Sequence, residues 1–191
     1  MMEYMTIENC PVTTTTSRML YPYIDSEDNK WYSRYGGLHS GVDIECKSVH
    51  SVCQGVVILV GTDFDDGLQT VTVQYDAYQG FRYCHLSNVR VKAGDIVQKS
   101  QWIADAKDFV HFEYIDVTEG NPLWLCRIGD MEYFKHDPER FATGDKTVPS
   151  ENLVATTVVE VDQPFPDIPL SNAEIEEFTN NRVDDEPSAI G

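Results

Sequence analysis

The chain has 191 residues, a hydrophobic fraction of 41% and a formal net charge of −18. Ten Tyr, eight Phe and three Trp supply a core for one well-packed domain with an appendage, or for two small domains. The charge argues against nucleic acid, whose phosphates are held by basic patches that this chain lacks, and against simple electrostatic capture by an anionic wall or membrane.

The longest apolar run, Val56 to Val60, has a strand's length and falls far below a membrane span, so no membrane insertion is expected. The opening MMEYMTIENC has neither a basic n-region nor an apolar h-region, so the expectation is no signal peptide and synthesis in a cytosol. Cys10, Cys46, Cys53, Cys84 and Cys126 form no CxxC pair, and an odd number cannot all pair within one chain. Buried or idle thiols in a reducing compartment are expected.

In chain order, Val12 to Thr16 is a β-prone, threonine-rich run, followed by irregular aromatic sequence around Tyr21, Tyr23, Trp31, Tyr32 and Tyr35. Asp25 to Lys30 reads as a polar loop, and Gly36-Gly37 as a turn that delivers the chain to His39. Val42 and Ile44 then face away from His39 and Asp43, giving one core face and one site face. Val49 to Gly61 is apolar and β-branched, with Gly55 expected as a bulge or bend. After the loop TDFDDG, Val71 to Tyr75 pairs with Phe81 to His85 as a hairpin whose turn ends at Gly80. Short strands broken by turns at Ala93-Gly94 and Lys99-Ser100 come next. No stretch here sustains a helical period beyond about two turns, so the fold class is all-β.

Three polar stretches stand out: HSGVD at 39–43, YCHLS at 83–87 and VHFEY at 110–114. Side chains two apart on a strand share a face, which groups His39 with Asp43 and His111 with Glu113. Two imidazoles and one carboxylate, with a fourth position left to water, is the donor set of catalytic rather than structural zinc. A lone His-x-x-x-Asp arises easily by chance, and a single His is more often a surface or hydrogen-bonded core residue. The signal lies in the combination.

HSGVDI, QGVVILVG, FRYCHLSNVRVKAGDIVQKSQWIADA and VHFEY follow one another as they do in the lysostaphin-like, LytM-type zinc metallopeptidases that cut peptidoglycan cross-bridges. The resemblance runs over residues 12–125, and EGNPLW at 119–124 resembles the segment that closes such a domain. It implies a compact antiparallel β-sandwich with a narrow groove over a metal. It further implies Zn2+ held by His39, Asp43 and His111, and His85 as the group that orients the attacking water or stabilises the oxyanion. Glu113 is then either a carboxylate that holds a ligand imidazole in its tautomer or a charge at the groove edge.

Two departures from the family pattern matter. Phe109 stands where the first His of the family's His-x-His falls, and Phe cannot exchange a proton. Losing one such acid/base group costs about a hundredfold to ten-thousandfold in rate. Only ADAKD separates Ile103 from Phe109, where the family usually has a glycine-rich loop, so one groove wall is cut down. An alternative alignment makes His111 the first His and puts Glu113 at the metal; the His-Phe-Glu continuation favours the first alignment.

The expected organisation is a LytM-like domain over 1–127 and an acidic C-terminal extension over 128–191. Of the acidic residues, 17 lie in 115–191 against five Lys or Arg, which makes that part an attachment device or a solvated tail. Within it, 154–161 reads as a strand, QPFPDIP at 163–169 as a stiff linker, and 172–180 as a short helix opened by SNAE.

The function expected is zinc-dependent cleavage of peptidoglycan cross-bridges, at reduced activity. The alternative is a degenerate LytM domain used as a structural or interaction module, which Phe109 and the short loop favour and the retention of His39, Asp43, His85 and His111 disfavours. A biotinyl- or lipoyl-like carrier is suggested by VKAGDIVQKSQWI, but neither Lys92 nor Lys99 has an acceptor's context. The missing signal and the acidic extension point to assembly into a bacteriophage virion, for example its tail, with tail proteins as partners, or to release at lysis. This reading predicts co-purification with washed virions at a fixed copy number; absence from them contradicts it.

Overall fold

Alternating β-branched and aromatic residues, cut by tight turns, build nine strands and one short helix in the computed structural model, which describes residues 5–24, 39–62, 67–76, 79–116 and 137–148. The strands are β1 (Met5–Cys10), β2 (Thr15–Tyr21), β3 (Val42–Glu45), β4 (Ser48–His50), β5 (Gly55–Thr62), β6 (Gln69–Gln74), β7 (Gln79–Ser87), β8 (Ile96–Val97) and β9 (Trp102–Asp116). All described pairings are antiparallel, in the order β1-β2-β3-β9-β7-β6-β5-β8, with β4 also on β9. The 15 residues of β9 let one strand serve β4 and then β3 on one edge, and β7 along the other.

Ile7 of β1 and Val97 of β8, at opposite ends of that order, belong to one buried apolar cluster. A flat sheet could not bring them together. The sheet is folded over so that its two halves enclose a common core, giving the all-β sandwich expected from the sequence. Phe81 stacks on Phe112 with centroids 5.4 Å apart, and Tyr83 packs on Phe112 at 5.3 Å. Each fully buried aromatic of this kind contributes about 1.5–3 kcal/mol by leaving water. The Tyr83 hydroxyl accepts the Val52 N–H at 3.0 Å, which satisfies the one polar atom that this ring brings inside.

Strands β6 and β7 form the expected hairpin, with Val73 opposite Phe81, but Gly80 lies within β7 opposite Gln74 instead of ending the turn. The turns at 93–94 and 99–100 are present, with positive φ at Gly94 (91°) and Ser100 (65°). Three other local expectations differ. Thr13 and Thr14 form a turn rather than strand, because both N–H groups bond to the Cys10 carbonyl and Thr14 takes φ 58°. Gly55 is no bulge; it opens β5 where a Cβ would strike the Gln74 carbonyl, and the register slip lies between Val57 and Leu59. Helix α1 (Glu139–Ala142) is a single turn, too short for periodicity to reveal, yet Phe141 meets Phe81 and Tyr114 at 4.9 Å each and Ala142 is buried.

The four described cysteines, Cys10, Cys46, Cys53 and Cys84, are all buried. Burial pushes the Cys46 and Cys53 thiols up to about 12, which leaves them inert. Cys126, the loop at 25–30, Gly36-Gly37, EGNPLW, the strand at 154–161, the linker at 163–169 and the helix at 172–180 lie outside the described residues.

Candidate metal centre

Strands β3 and β9 pair with Asp43 opposite His111 and Glu45 opposite Phe109. Facing residues of an antiparallel pair point to one side, so these four side chains share a face, while Val42, Ile44, Val110 and Phe112 are fully buried on the other. On the far edge of β9, Cys84 lies opposite His111 and Arg82 opposite Glu113.

His39 does not sit on one continuous strand with Asp43, as the two-residue spacing suggested. It forms an isolated bridge with Ile24, exchanging backbone hydrogen bonds of 2.9 and 3.0 Å, and the chain bends through Ser40 and Gly41 before β3 begins. The bend presses against His111: a Cβ on Gly41 would lie 2.5 Å from the Phe112 carbonyl oxygen and 2.9 Å from His111 Nε2. Only glycine lets the chain pass there. His39 Nδ1 donates to the Pro22 carbonyl at 2.6 Å, which leaves Nε2 to face Asp43 Oδ1 at 3.3 Å.

His111 is held from both sides, Nδ1 lying 2.7 Å from Asp43 Oδ1 and Nε2 lying 3.1 Å from Glu113 Oε1. The Ser40 hydroxyl donates to the same Glu113 oxygen at 2.6 Å, and Arg82 Nη1 stands 3.6 Å from Glu113 Oε2. His39, Asp43 and His111 are all buried, and one donor atom from each comes within 4.8 Å of the others. Each imidazole has one nitrogen engaged by a fixed partner and the other directed at the Asp43 carboxylate. Two imidazole nitrogens and one carboxylate oxygen suit zinc in both type and number, with the ring orientations fixed from behind.

Burial disfavours charge on His111, but hydrogen bonds to Asp43 and Glu113 outweigh it and push the imidazole up to about 10. Burial likewise disfavours charge on Asp43, and hydrogen bonds from His111 and His39 hold it well below the usual carboxylate range. Glu113 is lowered in the same way by His111, Arg82 and Ser40 against its burial. Without a cation, His111 itself is the positive charge between two carboxylates. A metal arriving at Nδ1 must displace that proton.

His85 lies at the register slip between Cys84 and Leu86, with φ 62°. That is the bulge position usually given to glycine, and a side chain kept there marks stored strain. Its ring centroid is 5.0 Å from Phe109 and 6.2 Å from His111. Phe109, half-buried, therefore stands beside His85 on the face that carries His111. Of the expected site residues, His39, Asp43 and His111 converge, Glu113 backs His111 as a fully buried carboxylate rather than a groove-edge charge, and His85 flanks them. Ser40 and Arg82 were not anticipated. The available signals were a hydroxyl inside HSGVD and an arginine in the aromatic strand FRYCH.

A match to Peptidase family M23 covers residues 37–118. This segment is a LytM-type peptidase domain. The solution structure of lysostaphin superposes with a TM-score of 0.54 at 20% identity, over 79% of this chain and 59% of that one. The crystal structure of cbpa from L. salivarius REN gives 0.51 at 18% identity, over 65% of this chain and 87% of that one. At these identities the likeness is one of fold, and the chain spans less than two thirds of the lysostaphin structure's length. No curated protein matches the sequence. The matched segment thus contains the three converging groups, His39, Asp43 and His111, and both strands, β3 and β9, that align Asp43 with His111.

These shifts imply a defined pH profile for the metal-free domain. His111 is raised above its ordinary 6.5, so its contribution is complete below about pH 6.5 and lost as pH rises through about 10. Asp43 and Glu113 are lowered from 3.8 and 4.5, so theirs is complete above those values and lost on further acidification. Thermal denaturation of chelator-treated protein should show a stability plateau between about pH 5 and 6.5, falling on both sides. An alkaline limb that a His111→Gln variant shares unchanged would contradict this assignment.

Proposed function

We propose that this domain is a zinc-dependent endopeptidase of peptidoglycan cross-bridges that works with one acid–base imidazole where two are expected. The observation that carries the reading is the meeting of His39 Nε2, Asp43 Oδ1 and His111 Nδ1, each imidazole held at its opposite nitrogen. His39, Asp43 and His111 would hold the ion. Bound there, zinc supplies a Lewis acid for the scissile carbonyl and a water of pKa ~7.

The chain's own residues do the rest. The Pro22 carbonyl and Glu113 keep the His39 and His111 rings turned so that one nitrogen of each is available. His85, beside His111, would donate to the developing oxyanion or carry a proton to the leaving amine. Phe109 can do neither; packed on His85, it offers an apolar wall that excludes water from that side. Peptidoglycan as substrate is supported by the Peptidase family M23 match and the lysostaphin-like fold.

The second reading, a binding or structural module without turnover, is favoured by one observation, Phe109 at the position of the missing imidazole. Incubation of zinc-loaded protein with cross-linked peptidoglycan separates the two. The peptidase reading expects new amino groups, their loss in His39→Ala, and at least about a hundredfold gain in Phe109→His, the lower end of what a restored acid/base group provides. No release by the natural chain or by Phe109→His at high protein concentration supports the module.

A further inference from the structure

We propose that Arg82 is a positioning residue of this metal centre, a buried guanidinium that anchors Glu113 and through it sets which nitrogen of His111 is offered to the ion. The proposal rests on the zinc reading above. Arg82 is the largest of the fully buried side chains, at 1% exposure. A guanidinium keeps its charge under all ordinary conditions, so one placed inside a sheet needs an anionic partner.

Cross-strand register supplies that partner. Thr72 on β6, Arg82 on β7 and Glu113 on β9 lie opposite one another in a single row. Arg82 Nε donates to Thr72 Oγ1 at 3.4 Å, and Nη1 faces Glu113 Oε2 at 3.6 Å. The two oxygens of Glu113 therefore have separate tasks. Oε1 receives His111 Nε2 and the Ser40 hydroxyl, while Oε2 is turned to the guanidinium. Without Arg82, Glu113 loses the contact that keeps Oε1 pointed at His111, and the ring loses the constraint that keeps Nδ1 toward Asp43. Across β7 and β9, Arg82 lies opposite Glu113 while His111 lies opposite Cys84, so the contact of Arg82 toward the metal centre runs through that carboxylate.

The competing explanation is that Arg82 merely ties β6, β7 and β9 together. Zinc affinity of the full chain, measured by competition with a chromophoric chelator, distinguishes the two when combined with long-range 1H–15N spectra of the His111 ring. Equal affinities for the natural chain and His39→Ala would remove the zinc reading itself. With that reading intact, Arg82→Met should weaken zinc binding about ten- to a hundredfold, as loss of an outer partner of a metal ligand typically does. The zinc-loaded His111 signal should change from a single Nε2–H tautomer to a mixture. Arg82→Lys, which keeps the charge, should recover part of the loss.

In a Glu113→Gln background, Arg82→Met should cost no more than about a further twofold, because the path runs through the carboxylate. If Arg82→Met alone does not fold, this double variant, which leaves no lone buried charge, carries the comparison with Glu113→Gln. Wild-type affinity in folded Arg82→Met, or an equal loss in both backgrounds, overturns the proposal.

Discussion

The 2.7 Å contact between Asp43 and His111 depends on a single register, that of β3 against β9. Because side chains alternate on a strand, a slip of one residue would set Asp43 opposite Val110 or Phe112 and turn its carboxylate to the face away from His111. The apolar face prevents this: Val42 and Ile44 are fully buried beside Val110 and Phe112, and the two β3 residues would lose that burial in the slipped register. Core packing and site geometry are thus two sides of one constraint. The hydrophobic face supplies the free energy, and the polar face inherits the alignment.

That alignment gathers groups that a folding chain would otherwise keep apart. His39, Asp43, His111, Glu113 and Arg82 are all buried, and burying charge is costly unless every member is paired. Here each is: Asp43 against two imidazoles, Glu113 against His111, Ser40 and Arg82. His85 in a left-handed bulge and the glycine at 41 are further local concessions, and both lie against His111. Strain and buried polarity gathered on one side of one sheet distinguish a site from a merely well-packed sandwich.

Much of this was legible in the sequence, for reasons of period and turn chemistry. Two-residue alternation in VTVQY and FRYCH gives the β6/β7 hairpin, and Gly94 and Ser100 mark turns by the backbone conformations they adopt. His39, Asp43 and His111 stood out because three polar motifs kept a family's order. What stayed hidden depends on contacts between distant segments. Glu113 could be read as buried or as an edge charge, since only the strands on either side decide its exposure. Arg82 and Ser40 matter through cross-strand partners that no single stretch displays. Thr13 and Thr14 have β-propensity, but backbone hydrogen bonds to Cys10 override it, and α1 is one turn placed by the burial of Phe141.

The most direct measurement is an anomalous difference map at the zinc edge from crystals of the zinc-loaded protein. One peak bonded to His39 Nε2, Asp43 Oδ1 and His111 Nδ1, with Glu113 behind His111 and not in contact with the ion, is the expected result. A peak ligated by Glu113, or no peak between β3 and β9, would contradict the register on which the site depends.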